Sequence, residues 1–380
     1  MKVWMRPLGI LLLLTASLPL AGQGVSSGGR ADRSVGLVQW RWDVDFHYYF
    51  DNGEFDASES GVVKSGTVHA AVLVPTVSAQ VRSSRRVLHA LTVGGDFQHD
   101  MGSQTWKDLP REGILFYDGV VRLPRGVFEG IAGVFPRERM SFRWSEAFFS
   151  DRNRFLDRNF EGMLLKWTAP RLRAEVALDW MGAKGYNRKE RFQFLFYGDW
   201  RVLPERRLTL GWNTDYYHYA GSEVAPGVVE NYLAHFWLCT DVSAYTSFQQ
   251  LSLQAGVLPA FQRDHRDYEH PLIPVGGEVE AVARRWNVIL SNTCYFGGDL
   301  QPFYGGVDAA GRPLADNLYF GSRFYTGFYD RVCVAWEPRI APYVHLRVAA
   351  RAHFTPAGFQ GWQSVLSLRF DTGAPIRSRR

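Results

Sequence analysis

Between Val38 and Phe50 the chain alternates with a period of two. Val38, Trp40, Trp42, Val44, Phe46, Tyr48 and Phe50 take the even positions, and Gln39, Arg41, Asp43, Asp45 and His47 the odd ones. Successive side chains of a strand point to opposite faces, so this segment carries one apolar face and one charged face. Leu172, Ala174, Val176, Leu178 and Trp180 alternate with Arg173, Glu175 and Asp179 in the same way. Phe192, Phe194, Phe196, Trp200 and Val202 alternate with Arg191, Gln193, Asp199 and Arg201. Val344, Leu346, Val348, Ala350 and Phe354 alternate with His345, Arg347, Arg351 and His353. A helical period of 3.6 would mix the two sets, so these segments are strands.

With less regular segments included, the pattern predicts about sixteen strands, within a range of about fourteen to eighteen. Their expected cores are 37–50, 67–81, 86–98, 113–123, 127–136, 159–168, 172–182, 191–202, 207–219, 229–241, 247–261, 275–283, 286–296, 322–336, 342–354 and 361–371. The links alternate in length. Long polar ones at 51–66, 99–112, 137–158, 183–190, 220–228, 262–274 and 297–321 take turns with tight ones such as Pro124-Arg125-Gly126 and Glu337-Pro338-Arg339. Arg284-Arg285 is the weakest of the tight joints. A long–short rhythm is the habit of membrane barrels, with long loops outside and short turns in the periplasm.

The chain opens with Lys2 and Arg6, an apolar run from Leu8 to Leu20, and then Ala21-Gly22-Gln23-Gly24. A positive start, a short apolar run and a small-residue exit form the layout of a secretory signal. The run falls short of the roughly 20 residues a spanning helix needs. The expected organisation is a signal peptide at 1–22, a periplasmic segment at 23–35, a barrel at 36–371 and a tail at 372–380. Aromatics make up 15% of the chain, spread one residue at a time, which suits strands greasy on one side and wet on the other. Cys239, Cys294 and Cys333 are odd in number and far apart, so they form neither a disulfide framework nor a metal cluster. A net charge of +5, with charges interleaved among apolar residues, excludes a nucleic-acid footprint.

Lipid offers no hydrogen bonds, so strands that cross it must close on themselves. The expected fold is all-β: a transmembrane antiparallel up-and-down β-barrel. Its charged faces turn inward, because a basic residue facing lipid costs roughly 2–4 kcal/mol near the midplane. Aromatics near strand ends, such as Trp40, Phe50, Trp167, Trp200, Trp336 and Trp362, are expected to form interfacial girdles. The last expected strand, with Trp362, Leu366, Leu368 and Phe370 on one face, looks like the closing signal by which barrel-assembly machinery recognises such chains.

On these features the chain resembles a porin-type bacterial outer-membrane barrel over roughly residues 36 to 371. The resemblance implies export to the outer membrane of a Gram-negative cell, contact with its lipid and lipopolysaccharide, and passage of small polar solutes without a cofactor. A homo-oligomer is a further implication. The candidate pore lining is Arg41, Asp43, Asp45, His47, Arg173, Glu175, Asp179, Arg191, Arg201, His345, Arg347 and Arg351. By analogy with porins, the third long link folds inward, with Arg139, Arg143, Glu146, Asp151, Arg152 and Arg154 forming a constriction. A plugged barrel with a structural or docking role uses the same polar interior and stays open as an alternative.

Asp43, Asp45 and His47 share one face at the spacing that acid–base chemistry requires, and solvated lumen charges look the same. His265, Asp267, Glu269 and His270, and the acidic link Asp51-Asn52-Gly53-Glu54, hold oxygen and nitrogen donors without the spacing of a metal loop. No metal is therefore expected. A lipid-modifying barrel enzyme needs a nucleophile and base facing lipid. No serine lies beside a histidine at strand spacing, and no nucleophile elbow, P-loop or HExxH occurs. The expectation is that the chain is not an enzyme.

Overall fold

The structure, a computed structural model, describes residues 35–56, 63–103, 111–141, 144–203, 207–266 and 270–372. The expected signal segment, most of residues 23–35 and nearly all of the tail lie outside these residues.

The alternating segments form β1 (Val38–Phe55), β2 (Gly66–Arg82), β3 (Val87–Asp100), β4 (Glu112–Leu123), β5 (Gly126–Pro136) and β6 (Asn159–Thr168). They continue as β7 (Leu172–Gly182), β8 (Arg191–Arg201), β9 (Leu208–Ala220), β10 (Val228–Asp241) and β11 (Gln250–Asp264). The last are β12 (Val275–Arg285), β13 (Val288–Gly297), β14 (Gly327–Trp336), β15 (Arg339–Ala341), β16 (Val344–Thr355) and β17 (Gly358–Asp371). Each long strand pairs antiparallel with the next, and β14 reaches past the three-residue β15 to pair with β16. β17 returns to β1 in register from Asp45↔Asp371 to Phe55↔Gly361, which closes a barrel of sixteen long strands. Closure pairs the two edges that an open sheet would leave bare in lipid.

The pleat sets the faces. Trp40 and Trp42 stand outward at 72% and 65% exposure, whereas Arg41, Asp43, Asp45 and His47 line the lumen. Trp200, Trp286 and Trp336 also stand outward at the short-turn end, which places a tryptophan belt there.

Two details depart from the expected pattern. The β12–β13 hairpin turns at Trp286-Asn287 and not at Arg284-Arg285. Both central residues have positive φ, 52° and 66°, as a two-residue turn matching strand twist requires. Asparagine tolerates that region and tryptophan does not favour it; the Arg285 guanidinium covers the Trp286 ring at 4.0 Å. The second departure is β4 to β6, where both faces are apolar. Ile114, Phe116, Ile131, Phe135, Phe160 and Leu164 point inward and are buried. A strand greasy on both faces is buried on both, so something apolar fills the lumen beside them.

Candidate functional site

Two long links fill the lumen. The first, 137–158, leaves β5, crosses the barrel and returns to β6. Its descent is steered by charge. Arg137 donates to Asp157 and Asp179, both at 2.7 Å, and lies over the Phe160 ring at 4.3 Å. Arg139 reaches Asp118 and Glu129, and the Ser141 amide donates to Glu175 at 2.7 Å. Beyond the centre, Ser145 donates to Glu278 at 2.5 Å, and Glu146 bridges Arg331 and Arg351. Ser150 caps the short helix α1 (Asp151–Leu156) by accepting from the Asn153 amide at 3.2 Å. Asp151 in its first turn pairs with Arg351. Phe155 then stacks on Tyr49 of β1 at 4.4 Å.

The second link, 298–326, locks onto the first. The Ser150 amide donates to the Phe320 carbonyl at 2.9 Å, and the Ser322 amide to the Glu146 carbonyl at 2.7 Å. A side chain at Gly321 would meet the Ala147 carbonyl oxygen at 1.8 Å, so only glycine permits this approach. Met140, Trp144, Phe148, Phe149, Leu300, Phe324 and Tyr325 from the two links pack against inward residues of β4 to β8, β10, β11, β13 and β14. Phe303, Leu314, Leu318 and Tyr319 fill the space beside β9 and β10, and Phe155 that beside β1, β2 and β17.

The ion network fixes its own protonation. Burial alone would raise the Glu146 pKa, but the Arg331 and Arg351 guanidiniums outweigh it and hold the carboxyl below its ordinary value. Asp151 behaves likewise: burial opposes ionisation, and Arg351 and then Arg154 overcome it.

Below the plug, towards the short turns, the lumen keeps open cavities lined by charged residues. One cavity of about 470 Å³ is lined by Glu146, Asp151, Glu278, Glu280, Arg331, Arg347 and Arg351, among others. A larger one of about 1330 Å³ takes in Arg41, Asp43, Asp45, His47, His345, Arg347 and Arg369. Among the other residues predicted to line a pore, Arg173 donates to Ser141 at 3.0 Å, and Glu175 and Asp179 are buried under the first link. Arg191 donates to the Met181 carbonyl, and Arg201 to that of Pro170 at the short-turn rim. Of the predicted constriction residues, Arg139, Glu146, Asp151 and Arg154 face the lumen. Arg152 lies beside Gly66 of β2, and Arg143 is outside the described residues. Of the proposed cation donors, Asp267 and Glu269 are outside the described residues, and among those described no group of three or more donors could hold a metal.

A polar row interrupts the outer, lipid-facing surface at the long-link rim. His218 of β9 lies opposite Glu230 of β10, and Glu230 opposite Arg263 of β11. His265, just past β11, brings Nε2 to 3.1 Å from Glu230 Oε2, and Tyr216 donates to Oε1 at 3.4 Å. His218 stacks on Phe192 at 4.7 Å, and Phe192 on Trp180 at 5.3 Å. Sequence reasoning found His265 but not its partner. Glu230 sits 35 positions earlier and meets it only because β10 and β11 pair as a long hairpin. One signal was available: Glu230 and His218 are charged or polar residues on faces otherwise apolar.

The profile of the Lipid A 3'-O-deacylase-type family matches residues 37–232. No curated protein matches the chain. Among solved structures, a mutant of Rhodopseudomonas blastica porin aligns with a TM-score of 0.44 at 9% identity, covering 88% of this chain and 100% of its own. Pseudomonas aeruginosa OpdO gives 0.48 at 10% identity, covering 87% and 96%. P. aeruginosa OccK2 in complex with glucuronate gives 0.41 at 11%, covering 88% and 98%. The expectation of a chain that is not an enzyme is overturned by the family match, because that family is named for an enzymatic activity. The search for local serine–histidine spacing missed it, since partners on a barrel come from different strands.

Proposed function

Because the chain belongs to the Lipid A 3'-O-deacylase-type family, we propose that it hydrolyses an acyl ester of a lipid A-type glycolipid at the outer rim of its barrel. The observation that carries this reading is the lipid-facing row of His218, Glu230, Arg263 and His265. Glu230 orients His265, whose imidazole takes a proton from water as that water attacks the ester carbonyl. Arg263, opposite Glu230 in the β10–β11 pairing, offers its guanidinium to the developing oxyanion or a nearby phosphate. Trp180, Phe192 and Tyr232 offer an apolar wall for the acyl chain.

The test is purified barrel mixed with lipid A in detergent micelles, with released fatty acid followed by mass spectrometry. Wild type is expected to release acid, and Glu230→Gln and His265→Gln each to slow release by about 10²- to 10⁴-fold. Intact lipid A after prolonged incubation with folded wild type would sink the reading.

A second reading, passage of small polar solutes, is favoured by the two charged cavities on the short-turn side. It requires the plug to move, and stepwise conductance of the wild-type barrel would support it.

A further inference from the structure

We infer that Ser367 and His47 form a nucleophile–base pair for hydrolysis of a water-soluble carboxylic ester inside the larger lumen cavity. Barrel closure brings them together. His47 belongs to β1 and Ser367 to β17, 320 positions apart, yet Ser367 Oγ lies 2.8 Å from His47 Nε2. Both line the cavity of about 1330 Å³. The imidazole is held edge-on by Phe155 at 5.2 Å and Tyr49 at 5.7 Å, which limits its rotation.

Charged neighbours surround the pair on the same wall. Arg369 lies opposite His47 across the seam and is held by Asp45, at 2.6 and 2.9 Å, and by Glu138. Arg347 of β16 lies opposite Ser367, and side chains in that relation stand about 4.5–5.5 Å apart at Cβ. Arg347 is ion-paired with Glu337 at the short-turn end, and of the groups beside Ser367 it is the one assigned to a carbonyl oxygen turning anionic. Gln80, Arg284, Glu337 and Arg339 from the short-turn end complete the cavity, so a soluble substrate enters from that side. Acyl chains in the bilayer are kept out by the paired wall.

The chemistry balances without a further reagent. Ser367 Oγ bonds to the carbonyl carbon as its proton passes to Nε2 of the tautomer protonated on Nδ1. The ester C–O bond then breaks and the imidazolium proton leaves with the alcohol. Water repeats the sequence on the acyl-serine, releasing the acid and restoring both side chains.

The experiment exposes the folded full-length barrel to a fluorophosphonate reagent, which phosphonylates activated serines, and maps the adduct by peptide mass spectrometry. The expected result is an adduct on Ser367, none in Ser367→Ala, and labelling slowed by about 100-fold or more in His47→Gln. Hydrolysis at the outer rim uses water and leaves no serine adduct, so the two sites are told apart. Unlabelled Ser367 in folded wild type overturns the proposal without reference to any variant, and so does labelling that persists undiminished in His47→Gln.

Discussion

The two halves of the lumen are built from the same strands and differ in what faces inward. Towards the long links, β4 to β6 present Ile114, Phe116, Ile131, Phe135, Phe160 and Leu164, and two links pack their aromatics against them. Towards the short turns, the wall presents Arg41, Asp43, Asp45, His47, Arg347 and Arg369, and the space stays open. Apolar inward residues supply the surface whose burial holds a plug, at roughly 25 cal/mol per Å² removed from water. Charged ones pair with one another, Arg41 with Asp43, Arg369 with Asp45 and Arg347 with Glu337, and offer a plug no apolar surface. The outside of the same wall repeats the contrast, with an aromatic belt at one rim and the Glu230 row at the other. The two sites proposed for chemistry on this barrel lie where the greasy–wet alternation is broken and where the seam joins distant strands.

The comparison breaks most sharply at the plug's ion network. Glu146→Ala leaves Arg331 and Arg351 largely buried without their shared carboxylate, and removing one partner of a buried pair costs about 3–5 kcal/mol. Hydrogen exchange of the 144–156 amides should accelerate, while that of β4 and β5 should not. Acid should act on the same network. The Glu146 and Asp151 pKa values are depressed in the fold, so their stabilisation is complete above the ordinary carboxylate range near 4. It is lost as pH falls through the depressed values. Protection of the same amides, taken relative to their intrinsic exchange at each pH, should therefore fall from about pH 4 downward and stay constant near neutrality.

Gly321→Ala tests the interlock of the two links. Its methyl would collide with the Ala147 carbonyl, and relief by backbone shift costs about 1–3 kcal/mol, measurable as a lower denaturation midpoint. Tyr325→Phe should have the smallest effect, about 1 kcal/mol. It removes the 2.6 Å hydrogen bond to Glu278 while Ser145 still donates to the same oxygen.

The wall was legible in the sequence because strand faces follow from a local period. The expected limits of 159–168 and 172–182 coincide with β6 and β7, and most other strands agree within three residues. Of the candidate constriction residues, Arg139, Glu146, Asp151 and Arg154 line lumen cavities. The inward folding of the second link was not foreseen: it was expected as a long polar link at 297–321, its composition disguised the anchors Leu300, Phe324 and Tyr325, and 322–326 was read as strand. The pairing of Glu230 with His265 depends on hairpin register, and that of His47 with Ser367 on closure. Neither leaves a mark in local spacing. The apolar inward faces of β4 to β6 were visible, and they were the sign that the lumen is filled.

The most direct measurement is the current carried by the wild-type barrel in a planar lipid bilayer, recorded beside Glu146→Ala. A lumen filled by 137–158 and 298–326 predicts no stepwise conductance from wild type and open steps from the variant. Steady porin-like steps from wild type at neutral pH would contradict it.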